Sequence, residues 1–166
     1  MDSYLSKLEY NFWEKSIVLT DGLERLVKCP FLIGKGLVLL DYGGQFIPEN
    51  EILSDIDKCE YESFENHFHI DDFVAKRMNF NDIIFLGLGL EFLKQLVIRI
   101  KNELPENDFR FILSFGKVDD PDVYEFGNCV VRFYQIRSAS ENVFKREDLN
   151  TYLQEGVIEI EIKNKK

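Results

Sequence analysis

The fold class is decided by residues 81–116, NDIIFLGLGLEFLKQLVIRIKNELPENDFRFILSFG. Between Leu88 and Leu104 apolar residues recur at intervals of three and four, and this spacing predicts one amphipathic helix over residues 81–104. Pro105 ends the helix, because proline disfavours a helical conformation of the residue before it. Residues 109–115 then contain three phenylalanines and favour a β-strand.

Strand signals continue towards the C-terminus. Residues 129–137 are rich in aromatic and β-branched side chains, and about a dozen residues separate them from the preceding strand, which suits an antiparallel hairpin. Over residues 157–162 isoleucines alternate with glutamates, as expected of a strand with one face on a core and one in water. A short helix is predicted over residues 146–154. The predicted class is therefore α+β, with a mostly antiparallel sheet in the C-terminal half that helices pack on one side.

Shorter elements are predicted in the N-terminal half. Residues 5–13 have apolar side chains at helical spacing. Thr20 offers an N-cap to a second helix, which Pro30 ends. Residues 31–40 predict a β-hairpin with its turn at the glycines around Lys35. No break in composition divides the chain, so we predict a single domain over residues 1–166.

The composition indicates a folded chain in a reducing compartment. Apolar residues make up 45% of the sequence and aromatic residues 14%, both of which disordered chains lack. We predict no secretory signal and no membrane span, because the most apolar window, residues 83–90, is far shorter than a span requires. Cys29, Cys59 and Cys129 are too far apart in sequence for a C-x-x-C pair. We therefore expect reduced thiols in a cytoplasmic protein.

The negative charge of the chain is concentrated in residues 41–73. The whole chain carries −10, and this segment has ten acidic residues against one basic residue, Lys58. We expect the segment to contain a loop or short helix from near Pro48 and then a strand over residues 61–73. Its charge argues against nucleic acid and anionic membranes, which require lysine and arginine. A basic protein partner is expected instead, bound by Glu49, Glu51, Asp55, Asp57, Glu60, Glu62, Glu65, Asp71 and Asp72.

A candidate metal site contains the only two histidines of the chain. His67 and His69 project from the same face if they lie on a strand, and Asp71 follows, so the three side chains could hold Zn, Mn or Fe. The run is similar to the His-x-His-x-Asp-His motif of metallo-β-lactamase-fold hydrolases. Asp72 stands where that motif has its next histidine, and no later histidine follows, so we do not assign the chain to that class. Without a metal, the neighbouring acids should raise the histidine pKa values.

Arginines on the predicted strands form a third group. Arg110, Arg132 and Arg137 lie among aromatic residues, a pattern found in RNA-binding sheets. The surrounding charge is negative, and the sequence pattern of an RNA-binding sheet is absent. We therefore expect these arginines to pair with carboxylates of the sheet or of the acidic segment.

Two functions follow from these candidate sites. The first is a non-enzymatic acidic interaction protein that binds a basic protein partner, such as an immunity-type inhibitor of a bacterial toxin. The sequence has no G-x-S-x-G turn or comparable catalytic motif, which favours this hypothesis. The alternative is a small metal-dependent enzyme or metal-binding protein that uses His67, His69 and Asp71. No cofactor other than such a metal is expected.

Overall fold

The computed structural model describes residues 17–49, 54–74, 82–116, 129–138 and 155–163. Its helices are α1 (Asp21–Lys28), α2 (Asp55–Glu65) and α3 (Asp82–Glu103), with a 3-10 helix at Ile70–Phe73. The strands are β1 (Phe31–Gly34), β2 (Leu37–Leu40), β3 (His67–His69), β4 (Phe109–Gly116), β5 (Cys129–Gln135) and β6 (Glu155–Ile162). The helices predicted at residues 5–13 and 146–154 lie outside these ranges. None of the helices in these ranges combines the length and the apolar character needed to cross a membrane.

The main sheet contains four strands in the order β3-β5-β4-β6, and each neighbouring pair is antiparallel. Strand β4 is central. It pairs with β5 from Phe109 opposite Gln135 to Phe115 opposite Cys129, and with β6 along its whole length. Three of the four strands come from the C-terminal half of the chain, so the predicted α+β class is confirmed.

One face of the main sheet forms the core, because alternate side chains of each strand point towards it. Helix α3 covers this face with an apolar stripe, and α1 packs beside α3. Helix and sheet are in close contact at Gly89, where a Cβ atom would lie 2.5 Å from the Cys129 Sγ atom. The buried side chains on the two sides of this contact are Leu86, Phe92, Leu93, Leu96 and Ile100 from α3, and Phe109, Phe111, Leu113, Phe115, Val131 and Phe133 from the sheet.

Two of the predicted N-terminal elements, the helix that precedes Pro30 and the hairpin, form as predicted. Thr20 caps α1, since its Oγ1 atom accepts a hydrogen bond from the Leu23 N–H group (3.3 Å) and donates one to the Phe73 carbonyl (2.9 Å). Strands β1 and β2 form the predicted hairpin. Its two turn residues, Lys35 and Gly36, have φ values of 50° and 76°. Two positive φ values give the turn the twist that a two-residue hairpin requires.

The strand predicted over residues 61–73 is wrong for most of its length. Helix α2 continues to Glu65, and only His67–His69 is a strand. The helix starts with a capping box, in which the Ser54 Oγ atom accepts from the Asp57 N–H group (3.2 Å) and the Asp57 carboxylate accepts from the Ser54 N–H group (2.9 Å). Cys59, Glu62 and Ser63 are buried at the spacing of a helix face. Helix capping and this buried face outweigh the strand-like alternation of the sequence.

Two side chains at the end of α2 connect the hairpin to the main sheet. Glu62 accepts hydrogen bonds from the Val38 N–H group of β2 (2.8 Å) and from the Gln135 N–H group of β5 (2.7 Å). The Asn66 side-chain amide donates to the carbonyls of Val38 (2.9 Å) and Phe133 (3.3 Å). We call Glu62 and Asn66 the side-chain bridge. They form hydrogen bonds with backbone N–H and carbonyl groups of β2 and β5, the groups that a neighbouring strand would pair with in a continuous sheet.

Candidate functional site

Helix α2 has an exposed face that carries both acidic and apolar side chains. Ile56, Asp57, Glu60 and Phe64 are all exposed, and intervals of three and four residues place them on one side of the helix. The Phe64 side chain is 75% exposed. A large aromatic ring in this position gains the free energy of burial only when a partner covers it.

The loop before α2 adds further aromatic rings to this face. The Phe46 ring is 61% exposed and packs edge-on against Tyr61, with 6.3 Å between the ring centroids. The Tyr61 hydroxyl donates to the Phe46 carbonyl (2.8 Å). Tyr42 is 39% exposed, and its ring packs against Phe68 and Phe73. We call these residues and their acidic neighbours the acidic–aromatic surface: Tyr42, Phe46, Ile56, Asp57, Glu60, Tyr61, Phe64, Glu65 and Asp72.

The carboxylates of this surface are largely uncompensated. Glu60, Glu65 and Asp72 form no side-chain hydrogen bond or ion pair with any residue in the described ranges. Partial burial raises the pKa of Glu65. Burial, and then the negative charge of Glu65, raises the pKa of Tyr42 and of Tyr61. A region in which negative charges outnumber positive ones attracts a basic partner.

The predicted partner-binding residues are not all on this surface. Those that belong to it are Asp57, Glu60, Glu65 and Asp72. Glu49 is exposed in the loop before α2, and Asp55 accepts a hydrogen bond from the Ser138 hydroxyl (2.8 Å). Asp71 is half-buried, and Glu51 lies outside the described residues. Clustering along the sequence therefore does not place these residues on one surface, because the backbone conformation divides them between several environments.

Glu62 is wrong as a partner-binding residue, because it is fully buried. Its Oε1 atom is 2.7 Å from Nη2 of Arg137, and its Oε2 atom is 2.9 Å from Nη1 of the same guanidinium. Burial raises the pKa of Glu62, and the hydrogen bonds and charge of Arg137 oppose this effect. All four groups that contact the two oxygens are N–H donors, so the geometry satisfies the ionised carboxylate. Glu62 thus stabilises the fold.

The predicted metal site at His67, His69 and Asp71 is not formed. The two histidines do project from one face of β3, with 4.7 Å between their ring centroids. Asp71 lies in the 3-10 helix that follows β3, with its Oδ1 atom buried, and its charge adds to the effect of burial in raising the pKa of the Cys129 thiol. Within the described ranges, no three His, Cys, Asp or Glu side chains come together in a group that could hold a metal ion.

The charged neighbour of His67 is an arginine. Nη2 of Arg132 is 3.4 Å from Nε2 of His67, because the register of β3 and β5 places the two residues opposite each other. Burial, and then the positive charges of Arg132 and His69, lowers the pKa of His67 to about 4. The expectation of a raised pKa is therefore wrong for His67. A guanidinium in this position also repels a metal cation.

Two arginines of the predicted strands pair with carboxylates, as expected. Arg110 contacts Glu159 (3.2 Å) and Glu161 (2.6 Å) of β6. Arg137 contacts Glu62. These partners are residues of the sheet and of the acidic segment, as the charge distribution predicted.

The aromatic residues of the acidic–aromatic surface were missed by the sequence analysis. The signal that could have found them is the Ser54-x-x-Asp57 capping box, which marks the start of a helix. Once the helix is placed, Ile56, Glu60 and Phe64 fall on one face at intervals of four. The exposure of that face follows from the burial of Cys59, Glu62 and Ser63 on the other side.

Taken together, the described residues define an α+β protein with an antiparallel four-stranded sheet and an acidic–aromatic surface on one helix and its preceding loop. The chain belongs to the Uncharacterized protein PM0498 family, whose family model matches residues 1–166. No curated protein and no solved structure matches the chain.

Proposed function

We propose that this protein is a non-enzymatic interaction protein that binds a basic protein partner through the acidic–aromatic surface. The observation that carries the proposal is the exposed Phe64 ring beside the uncompensated carboxylates of Glu60 and Glu65. Aromatic side chains are enriched at the energetic centres of protein interfaces. The surrounding negative field accelerates the encounter with a cationic protein and disfavours acidic ones.

An immunity-type inhibitor of a bacterial toxin is the specific form that we favour. A toxin that acts on nucleic acid needs a cationic active site, and an acidic surface can cover such a site in competition with the substrate. Cys29, Cys59 and Cys129 form no disulfide, which suits the reducing cytoplasm in which such an inhibitor would protect its own cell.

The proposal is tested by capture from a native lysate at low and high salt, followed by calorimetric titration with the captured protein. We expect one basic partner, bound one to one and more weakly at high salt. Phe64→Ala should weaken binding about 30-fold, because truncating an interface hot spot costs about 2 kcal/mol. Glu60→Lys should weaken it at least about tenfold through charge repulsion.

The matched control is Glu106→Lys, which makes the same change of charge at an exposed acid outside the surface. It should leave the affinity within about threefold of the wild type, the scale of a screened long-range effect. Glu62 is left intact in this series because its replacement would act on the fold. Binding that survives both Phe64→Ala and Glu60→Lys unchanged, or a captured partner that is acidic, contradicts the proposal.

A further inference from the structure

We propose that part of the acidic–aromatic surface is a receptor for one arginine side chain of the partner, formed by Tyr42, Tyr61, Glu65 and Asp72. This inference rests on the proposed function and names the chemical group that the surface recognises. An arginine offers a planar cation that can contact aromatic faces and carboxylates at the same time.

The two tyrosine rings are held by contacts within the protein. The Tyr61 hydroxyl is fixed by its hydrogen bond to the Phe46 carbonyl, and its ring packs against the Phe46 ring. The Tyr42 ring packs edge-on against Phe68 (5.3 Å) and Phe73 (6.4 Å), while 39% of the residue stays exposed. Rings that are already fixed bind a ligand at little cost in side-chain entropy.

The carboxylates lie next to these rings. Tyr61 and Glu65 are four residues apart on α2 and are therefore neighbours on its surface. Asp72 directly precedes Phe73, whose ring contacts Tyr42. The pKa shifts of the tyrosines are consistent with this proximity. Burial is the main cause that raises the pKa of Tyr42, and the charges of Glu65 and Asp72 raise it further. Burial and then the charge of Glu65 raise the pKa of Tyr61.

In the part of the chain that the structure describes, this arrangement lacks a paired cation. Glu65 is half-buried, and within the described ranges its carboxylate has neither a hydrogen bond nor an ion pair. A partly desolvated carboxylate gains from a charge-assisted hydrogen bond that water cannot match in strength. A lysine ammonium would supply the charge alone, whereas a guanidinium can bind a carboxylate through two N–H groups and stack on a ring.

The test uses two peptides of equal charge, hexa-arginine and hexa-lysine, titrated against the full chain at low salt and followed by NMR. We expect hexa-arginine to bind about tenfold more tightly and to shift the ring resonances of Tyr42 and Tyr61. Glu65→Gln should reduce the preference for arginine to about twofold or less, because the bidentate acceptor is lost. Tyr61→Leu should have the same effect, and Tyr61→Phe, which keeps the ring, should retain most of the preference.

The control variant is Glu106→Gln, which removes one exposed negative charge and should leave the ratio of the two affinities unchanged. Equal affinity for the two peptides, or binding that leaves both tyrosine rings unshifted, overturns the arginine receptor. If partner capture is lost in Phe64→Ala but survives in Glu65→Gln and Tyr61→Leu, the receptor is wrong and the proposed function stands. If the protein prefers hexa-arginine but captures no basic partner from the lysate, the arginine receptor is supported and the proposed function is wrong.

Discussion

Replacing Glu62 with glutamine should destabilise the protein strongly, although the two side chains have almost the same shape. Each Glu62 oxygen accepts one backbone hydrogen bond and one from Arg137, over distances of 2.7 to 2.9 Å. In either orientation of a glutamine, the NH₂ group would face one backbone N–H group and one guanidinium N–H group. The variant therefore converts two favourable contacts into donor–donor contacts inside the protein.

The expected cost is about 3–5 kcal/mol at pH 7, the range observed when one partner of a buried ion pair is removed. This range applies because the Arg137 side chain is 9% exposed and Glu62 is fully buried. A backbone N–H group left without an acceptor accounts for about 1–3 kcal/mol of the total. The variant should still fold, since domains are usually stable by about 5–15 kcal/mol.

Urea unfolding followed by circular dichroism measures this loss. With a slope of about 2 kcal/mol per molar urea, the midpoint should fall by roughly 2 M. Glu60→Gln is the matched control, because it makes the same chemical change on the exposed face of α2 and should cost less than about 0.5 kcal/mol. The double variant Glu62→Gln with Arg137→Gln should cost less than the sum of the single changes, since the two residues interact directly.

A midpoint shift below about 0.5 M for Glu62→Gln would refute this reasoning, because it would correspond to less than about 1 kcal/mol. The bridge would then be dispensable, and Glu62 would again be a candidate for the binding surface. Additive costs in the double variant would likewise exclude a direct interaction between the two side chains.

Three further predictions concern the core and the titrating groups. Gly89→Ala should cost about 1–3 kcal/mol in thermal or urea unfolding, because its Cβ would lie 2.5 Å from the Cys129 Sγ atom, and adding Cys129→Ala should recover part of the loss. Native protein should react with a disulfide reagent at Cys29 alone, since the Cys59 and Cys129 thiols are buried; reaction of all three without denaturant would contradict the packing. The pKa of His67 is about 4 in the folded protein and 6.5 in the unfolded chain, so between these pH values the unfolded chain binds more protons and the free energy of unfolding should fall as the pH falls. His67→Asn should flatten this part of the stability–pH curve. An unchanged slope would contradict the lowered pKa.

The sequence predicted those parts of the fold in which burial and apolar character coincide. Helix α3 was found from its apolar periodicity, strand β4 from its β-favouring residues, and the boundary between them from Pro105. The second half of helix α2 was predicted as a strand, because the buried side chains of this helix, Cys59, Glu62 and Ser63, include two polar ones and give no apolar stripe. A hydrophobic pattern cannot reveal a helix that docks through hydrogen bonds.

The candidate site was predictable only in its charge. The acidic cluster in residues 41–73 is visible in the sequence, but the separation of exposed Glu60 from buried Glu62 depends on the helical conformation between them. Phe64 could not be distinguished from the core phenylalanines by residue type. The contact between His67 and Arg132 joins residues 65 positions apart and depends on strand register, which local sequence patterns do not determine.

The side-chain bridge also makes two backbone amides reporters of events on the far side of α2. The N–H groups of Val38 and Leu40 donate to Glu62 (2.8 Å) and to Asn66 (2.9 Å), so they are shielded by a helix and not by a neighbouring strand. Their exchange with deuterium should therefore follow the detachment of α2 from the sheets. A partner that holds α2 in place should slow exchange at both amides without touching either one. Deuterium exchange at two buried amides of the hairpin would thus report whether a partner is bound to the acidic–aromatic surface.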